Sequence, residues 1–140
     1  MPSHAFHLAF PVKDLESTIE FYTTILDCKI GRQAADWVDF DFYGHQLSAH
    51  LTGNTFDSGM TNTVDEKHVP ARHFGAILSM DEWRKMAERF KDHNLEFVIE
   101  PYIRFKGKPG EQATMFIKDP SGNVLEFKAF NDMSTIFKTS

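Results

Sequence analysis

Cysteine is almost missing from this chain, since Cys28 is the only one among 140 residues. A single thiol excludes an internal disulfide and fits the reducing cytosol, so we expect a cytoplasmic location. Because Cys28 follows a predicted helix as a lone thiol, we expect it to be a small buried apolar residue, not a nucleophile. The sequence also lacks a signal-peptide pattern and any apolar run of membrane-spanning length, which predicts no membrane partner.

Positive charge is scarce as well. Lys and Arg number 15 against 20 Asp and Glu, which gives a net charge of −5 and a pI near 5.8. Nucleic acid is therefore not predicted as a partner, because its binding normally needs a basic face. A small-molecule substrate, an anion included, is compatible with this balance. Aromatic residues are abundant, with 14 Phe, and we expect them to fill a core before they line a cavity.

One pattern occurs twice in the chain. His7 opens an apolar run that leads to Asp14, and His73 opens another that leads to Asp81. A helix-patterned segment follows each acidic residue. Two like halves tend to pack about a pseudo-twofold axis, so matching strand positions can converge on one cavity.

The order of predicted elements is β-α-β-β-β in each half. We predict a single domain, 1–140, made of halves at about 1–55 and 70–130. The polar stretch from Gly53 to Pro70 shows no convincing periodicity and is predicted to be a connector or a functional loop.

Helix and strand patterns support this order. Trp37 to Phe42 alternates as a strand does, and Ser79 with Glu82 forms a capping box for the second helix. The apolar faces predicted for the two helices consist of Leu15, Ile19, Tyr22 and Leu26 in the first and Trp83, Met86, Ala87 and Phe90 in the second.

Three residues of metal-binding type fall on the predicted strands. His7 and His73 begin the first strand of each half, and Glu126 lies in the last strand of the second. Two imidazoles and one carboxylate leave open coordination positions and suit Fe(II), Mn(II), Ni(II), Co(II) or Zn(II). Spacing alone does not show that the three meet, and a lone strand histidine is more often a core or surface residue.

The chain resembles the vicinal oxygen chelate superfamily, which contains glyoxalase I, fosfomycin-resistance proteins, bleomycin-binding proteins and type I extradiol dioxygenases. The two His-led strands support the resemblance, as do Phe21 to Leu26, similar to the family's FYxxxLG, and Asp119 to Glu126, similar to D-P-x-G-x-x-x-E. The resemblance implies an α+β fold of paired βαβββ modules, curled around a metal-binding cavity. It also implies that His7, His73 and Glu126 bind a divalent metal, with Fe(II) or Mn(II) favoured and Zn(II) or Ni(II) as alternatives.

The fourth ligand position of the family falls on a different residue type. Aligning Gly44 with Gly122 places Ser48 opposite Glu126, and serine is a poor ligand. His50 lies two residues further on and points to the same side. We predict that His50 is a catalytic general base or an alternative ligand, with a purely structural role as the other interpretation.

The function that this resemblance implies is a metal-dependent enzyme whose small substrate chelates the metal through adjacent oxygens. A dioxygenase-like reaction is favoured, although Phe116 stands where the dioxygenase signature has a tyrosine, and a phenyl ring cannot donate a proton. A glyoxalase-type lyase or isomerase is the alternative, although only Glu126 represents its usual two glutamates. The count of two histidines and one glutamate matches fosfomycin-type enzymes.

A binding module without chemistry is the competing class. The many Phe residues, with Trp37 and Trp83, would fit the apolar groove of bleomycin-resistance proteins, which bind without metal. The basic run of Arg104, Lys106 and Lys108 is expected to be a solvated turn, with contact to an anionic substrate as the other interpretation. By analogy with small folds whose sheet edges pair, we also expect a homodimer.

Overall fold

The computed structural model describes residues 4–53, 61–64, 67–108 and 110–139. The chain divides into two compact units, Met1–Ser58 with Asp119–Asn123, and Gly59–Lys118 with Val124–Ser140. Each unit contains a four-stranded mixed sheet and a helix. The predicted α+β fold of two βαβββ modules is therefore confirmed, with sheets that stay open.

The sheet of the first unit has the strand order β1-β4-β3-β2, with β1 and β4 parallel and the other pairs antiparallel. Its strands are β1 (His7–Val12), β2 (Lys29–Gln33), β3 (Trp37–Phe42) and β4 (His45–Leu51). The strand predicted from the alternation of Trp37 to Phe42 is confirmed over that range. A two-residue turn joins β3 to β4, and both Tyr43 and Gly44 have positive φ, 54° and 83°. Turns of this hand match the twist of a hairpin.

The first helix, α1 (Leu15–Glu20), starts at an Asp14 cap and continues as a π-helix over Phe21–Ile25. The wider π turn adds a residue, so the buried face shifts from the face that a regular 3.6-residue period predicts. Leu15 and Ile19 are only half-buried. The residues that this segment buries are Thr18, Phe21, Tyr22 and Leu26.

A short hairpin stands in the stretch for which the sequence showed no periodicity. It consists of β5 (Thr61–Val64) and β6 (Lys67–Pro70), which pair antiparallel. Val64 and Val69 bury their side chains in an apolar cluster of the second unit. Two buried valines are too few to produce a readable pattern. Residues 54–60 of the predicted loop lie outside the described residues.

The sheet of the second unit has the order β7-β10-β9-β8, with β7 parallel to β10. Its elements are β7 (Phe74–Leu78), α2 (Met80–Asp92), β8 (Phe97–Arg104), β9 (Gln112–Lys118) and β10 (Val124–Phe130). The capping box of Ser79 and Glu82 is confirmed, and the four residues predicted for the apolar face of α2 are all buried. Trp83 donates its indole N–H to the carbonyl of Phe127 at 2.9 Å, which fixes α2 on one face of this sheet. None of the described helices has the length and apolar character needed to cross a membrane.

Candidate functional site

Two of the three predicted metal ligands contact each other in the second unit. His73 directly precedes β7, and Glu126 lies within β10. Because β7 and β10 run parallel with Gly75 opposite Glu126, the two side chains meet on one face of the sheet. Nε2 of His73 lies 3.2 Å from Oε1 of Glu126.

Gly75 makes this meeting possible. A Cβ built on Gly75 would overlap the backbone of Glu126, so only glycine lets β7 approach β10 this closely. Gly75 lies in the repeated apolar run that leads from His73 to Asp81, and its role was not predicted. The indication was available, since glycine inside a strand marks a close backbone approach.

Hydrogen bonds fix both members of the pair. Nδ1 of His73 lies 2.8 Å from the carbonyl oxygen of Pro70, the last residue of the hairpin. Thr114 donates its hydroxyl to Oε2 of Glu126 at 2.6 Å. Since both neighbours of the imidazole are acceptors, the ring satisfies both contacts only when each nitrogen carries a proton. The hydrogen bond to Glu126 accordingly raises the pKa of His73 above 6.5, against the opposing effect of burial.

The carboxylate of Glu126 is held in its charged form. Burial by itself would raise its pKa, but the hydrogen bonds from His73 and Thr114 and the nearby charge of Lys128 outweigh burial. The net result is a pKa of Glu126 below its ordinary value of 4.5. The contact therefore favours protonation of His73 and ionisation of Glu126.

An apolar wall bounds one side of the pair. Phe116 lies opposite Glu126 across the β9–β10 ladder, and its side chain is fully buried. Its ring packs edge-on against His73, with centroids 5.2 Å apart. Residues of the hairpin, of β8 and of β10 complete the wall, namely Val64, Val69, Val98, Ile99, Tyr102 and Val124.

The remaining predicted site residues lie in the first unit. His7 is exposed at the start of β1, and His50 is exposed near the end of β4. Ser48 pairs with Ala9, two residues after His7, just as Glu126 pairs with Gly75, two residues after His73. The strand registers thus agree with the alignment that places Ser48 at the position of Glu126.

A buried carboxylate in the first unit was missed by the sequence analysis. Asp39 lies on β3 opposite Ser48, whose hydroxyl it accepts at 2.6 Å, and it also accepts Nε2 of Gln46 at 3.3 Å. It borders a cavity of about 290 Å³ that Arg32 and His45 also line. The alternation of β3 places Asp39 on the face of Ser48, which was the available indication. His45 is half-buried, and its Nδ1 accepts the backbone N–H of Phe6.

Within the described ranges, no three or more His, Cys, Asp or Glu side chains form a group that could hold a metal ion. His73 and Glu126 form a pair, while His7 belongs to the other compact unit. The three-residue metal site and the role of His50 therefore stay predictions.

Known proteins share this fold and part of its sequence. A glyoxalase/bleomycin resistance protein/dioxygenase from Alicyclobacillus acidocaldarius is 33% identical, with a TM-score of 0.81 and 98% of each chain covered. The fosfomycin resistance protein FosX from Listeria monocytogenes is 19% identical, with a TM-score of 0.68, over 92% of this chain and 94% of that one. Lactoylglutathione lyase from Agrobacterium tumefaciens is 17% identical, with a TM-score of 0.63, over 91% and 94%.

The last two similarities concern the fold alone, because their identities are low. The model of one family matches residues 4–127, which is most of the chain. The match agrees with the fold and with the motifs at Phe21 to Leu26 and Asp119 to Glu126. This chain therefore belongs to the Glyoxalase/Bleomycin resistance protein/Dioxygenase superfamily.

Proposed function

We propose that this protein is a metal-dependent enzyme whose small substrate chelates a divalent cation through two adjacent oxygens. The observation that carries the proposal is the pair of His73 and Glu126, whose Nε2 and Oε1 lie 3.2 Å apart. An imidazole nitrogen and a carboxylate oxygen that are close enough to share a proton can instead bind one metal ion, which displaces the proton.

The contacts around the pair fit the replacement of a proton by a metal ion. The carbonyl of Pro70 holds the Nδ1–H of His73, which directs Nε2 toward Glu126, and such outer contacts are usual for metal-binding histidines. Thr114 occupies Oε2 of Glu126 and leaves Oε1 for the cation. Nitrogen and oxygen donors suit Fe(II) or Mn(II), which we favour, and also Zn(II) or Ni(II). We propose His7 as the third ligand, from the same chain or from a second copy in a homodimer.

Our first candidate reaction is dioxygenase-like. When bound, the cation would supply a Lewis acid that stabilises negative charge on the two substrate oxygens. Phe116 and the hairpin would exclude water from one side of that chelate, since this wall is buried. His50, exposed on β4, is our candidate for moving protons at its imidazole.

A glyoxalase-type lyase or isomerase is the second candidate, and Phe116 favours it. This phenyl ring is fully buried where a dioxygenase signature would have tyrosine, so it has no proton to donate. A lyase needs the chelating metal but neither that tyrosine nor oxygen. Oxygen uptake with a panel of catechols, run beside a methylglyoxal–thiol assay, separates the two reactions.

The metal itself is tested first, by elemental analysis of protein purified without a chelating tag. We expect one metal ion per site in the wild type and loss of metal in His7→Ala, His73→Ala and Glu126→Ala. The matched control is His93→Ala, because His93 is an exposed histidine at the end of α2. Metal retained by all three variants would refute the proposal, and ligand binding that survives EDTA would favour a metal-free binding module instead.

The origin of the third ligand has its own test. His7→Ala and His73→Ala are unfolded together, refolded and analysed for metal. If His7 acts on the site of a second copy, mixed dimers contain one intact site and recover metal. If His7 acts within its own chain, no mixture recovers metal.

A further inference from the structure

Lys128 lies on the same face of the second sheet as Glu126. The two residues are separated by one position along β10, so they project to one side about 7 Å apart. Lys128 pairs with Thr114 on β9, and the Thr114 hydroxyl reaches Glu126. Because α2 covers the opposite face, this is the face on which the metal ligands meet.

The surroundings of Lys128 are unusual for a lysine. Its side chain is half-buried, and within the described residues no carboxylate lies within 4.0 Å of its ammonium. Its charge is nonetheless close enough to act on both His73 and Glu126. A half-buried ammonium that no carboxylate contacts can pair with a bound anion.

The residues beside Lys128 on β7 are exposed or small. Ile77, its partner on β7, keeps 41% of its surface exposed, and Gly75 contributes no side chain beside Glu126. The basic turn that the sequence singled out is placed differently, since Lys106 and Lys108 are exposed on the loop between β8 and β9. Unlike these two lysines, Lys128 lies on β10, two positions from the proposed ligand Glu126.

We propose that Lys128 binds an oxyanion group, such as a carboxylate, on the substrate whose adjacent oxygens are held at His73 and Glu126. This inference rests on the proposed function and adds the class of substrate. Because the two side chains leave β10 about 7 Å apart, we expect chelators whose negative charge lies at a similar distance from the chelating oxygens. A single aromatic ring between the two groups would span that distance.

The test compares two probes of matched size. 3,4-Dihydroxybenzoate and 3,4-dihydroxybenzamide share the chelating oxygens and differ in the charge of the second group. Their dissociation constants are measured by calorimetry under anaerobic conditions, with Mn(II)-loaded and with metal-free protein. The variants are Lys128→Gln, Lys128→Arg as the charge-conserving change, and Lys85→Gln as a control for charge loss on the exposed side of α2.

We expect the wild type and Lys85→Gln to bind the benzoate about tenfold more tightly than the benzamide, the size of a charge-assisted hydrogen bond. Lys128→Gln should abolish this preference by weakening the benzoate alone, and Lys128→Arg should keep most of it. The proposal is overturned if the wild type shows no preference, or if the preference survives in Lys128→Gln.

The two proposals fail in different ways. If the protein binds no Mn(II) but a preference that depends on Lys128 appears in metal-free protein, the proposed function fails and the anion site stands. If Mn(II) binds at full stoichiometry and neither protein form distinguishes the probes, the anion site fails alone. An unchanged thermal midpoint in Lys128→Gln shows that its loss of preference does not come from unfolding.

Discussion

The close approach of β7 to β10 at Gly75 makes Gly75→Ala the most informative substitution in this protein. The added methyl carbon would lie 2.6 Å from the carbonyl carbon of Glu126 and 3.0 Å from its nitrogen. Carbon atoms in contact are normally about 3.5–4.0 Å apart, and the methyl would also overlap the carbonyl oxygen of Glu126, so the two strands must part by more than about 1 Å. Backbone atoms cannot swing aside as the end of a flexible side chain can.

The magnitude follows from two opposing effects. Alanine restricts the unfolded chain more than glycine does, which stabilises the fold by about 0.4–1 kcal/mol. Overlap in a packed interior costs about 1–3 kcal/mol or more, so we expect a net loss of about 1–2 kcal/mol. In a chain of this size that lowers the thermal midpoint by roughly 3–10 °C. Separating the strands also lengthens the 3.2 Å contact of His73 with Glu126, and metal affinity should fall.

Calorimetric melting and metal titration of Gly75→Ala test both effects. The control is Gly31→Ala, in which the new methyl would lie at an ordinary 3.4 Å from Cβ of Asp39. A variant of Gly75 that melts with the wild type and binds metal equally well would refute the reasoning, because the strands would then tolerate a side chain.

Three further predictions concern the site and the single thiol. Thr114→Val removes the donor to Glu126 with little change in volume and should weaken metal binding about tenfold or more in a metal titration, since outer contacts have effects of that size. In metal-free protein, ionised Glu126 stabilises the fold above pH 4.5, and this stability is lost as pH falls through its lowered folded pKa. His73 contributes stability below pH 6.5 that is lost as pH rises through its raised folded pKa. Urea unfolding should therefore show the largest deficit of Glu126→Gln between pH 4.5 and pH 6.5, where both contributions are complete. Burial, with Asp41 and Asp27 nearby, raises the pKa of Cys28 to about 12, so iodoacetamide at pH 8 should modify it only after unfolding; equal rates in native and unfolded protein would contradict this.

The helices show where a sequence pattern suffices and where it fails. The face of α2 and its capping box were predicted residue by residue, because a regular helix repeats every 3.6 residues and its cap is local. In the first helical segment Tyr22 and Leu26 are buried as predicted and Leu15 and Ile19 are half-buried, while the π-helix of Phe21–Ile25 also brings Phe21 inward. A prediction that assumes 3.6 residues per turn throughout cannot locate a π-helical turn.

The candidate site was also predicted only in part. His73 and Glu126 were named from motifs 53 residues apart, and the resemblance implied that they act together. Pro70, Thr114 and Lys128 were not predicted to belong to the site. None of them belongs to a motif, and each lies near the pair only because of strand pairing. Asp39 was missed for the same reason, since its partner Ser48 lies on the neighbouring strand.

Local periodicity and short motifs are enough to predict the duplicated βαβββ order, the family, the capped helix α2 and the identity of two contacting residues. The tertiary structure decided which side chains surround that pair, which face Lys128 shares with it, and why residue 75 is glycine. Those features depend on the register of strands that are distant in the chain, and a shift of one residue would turn every side chain to the other face.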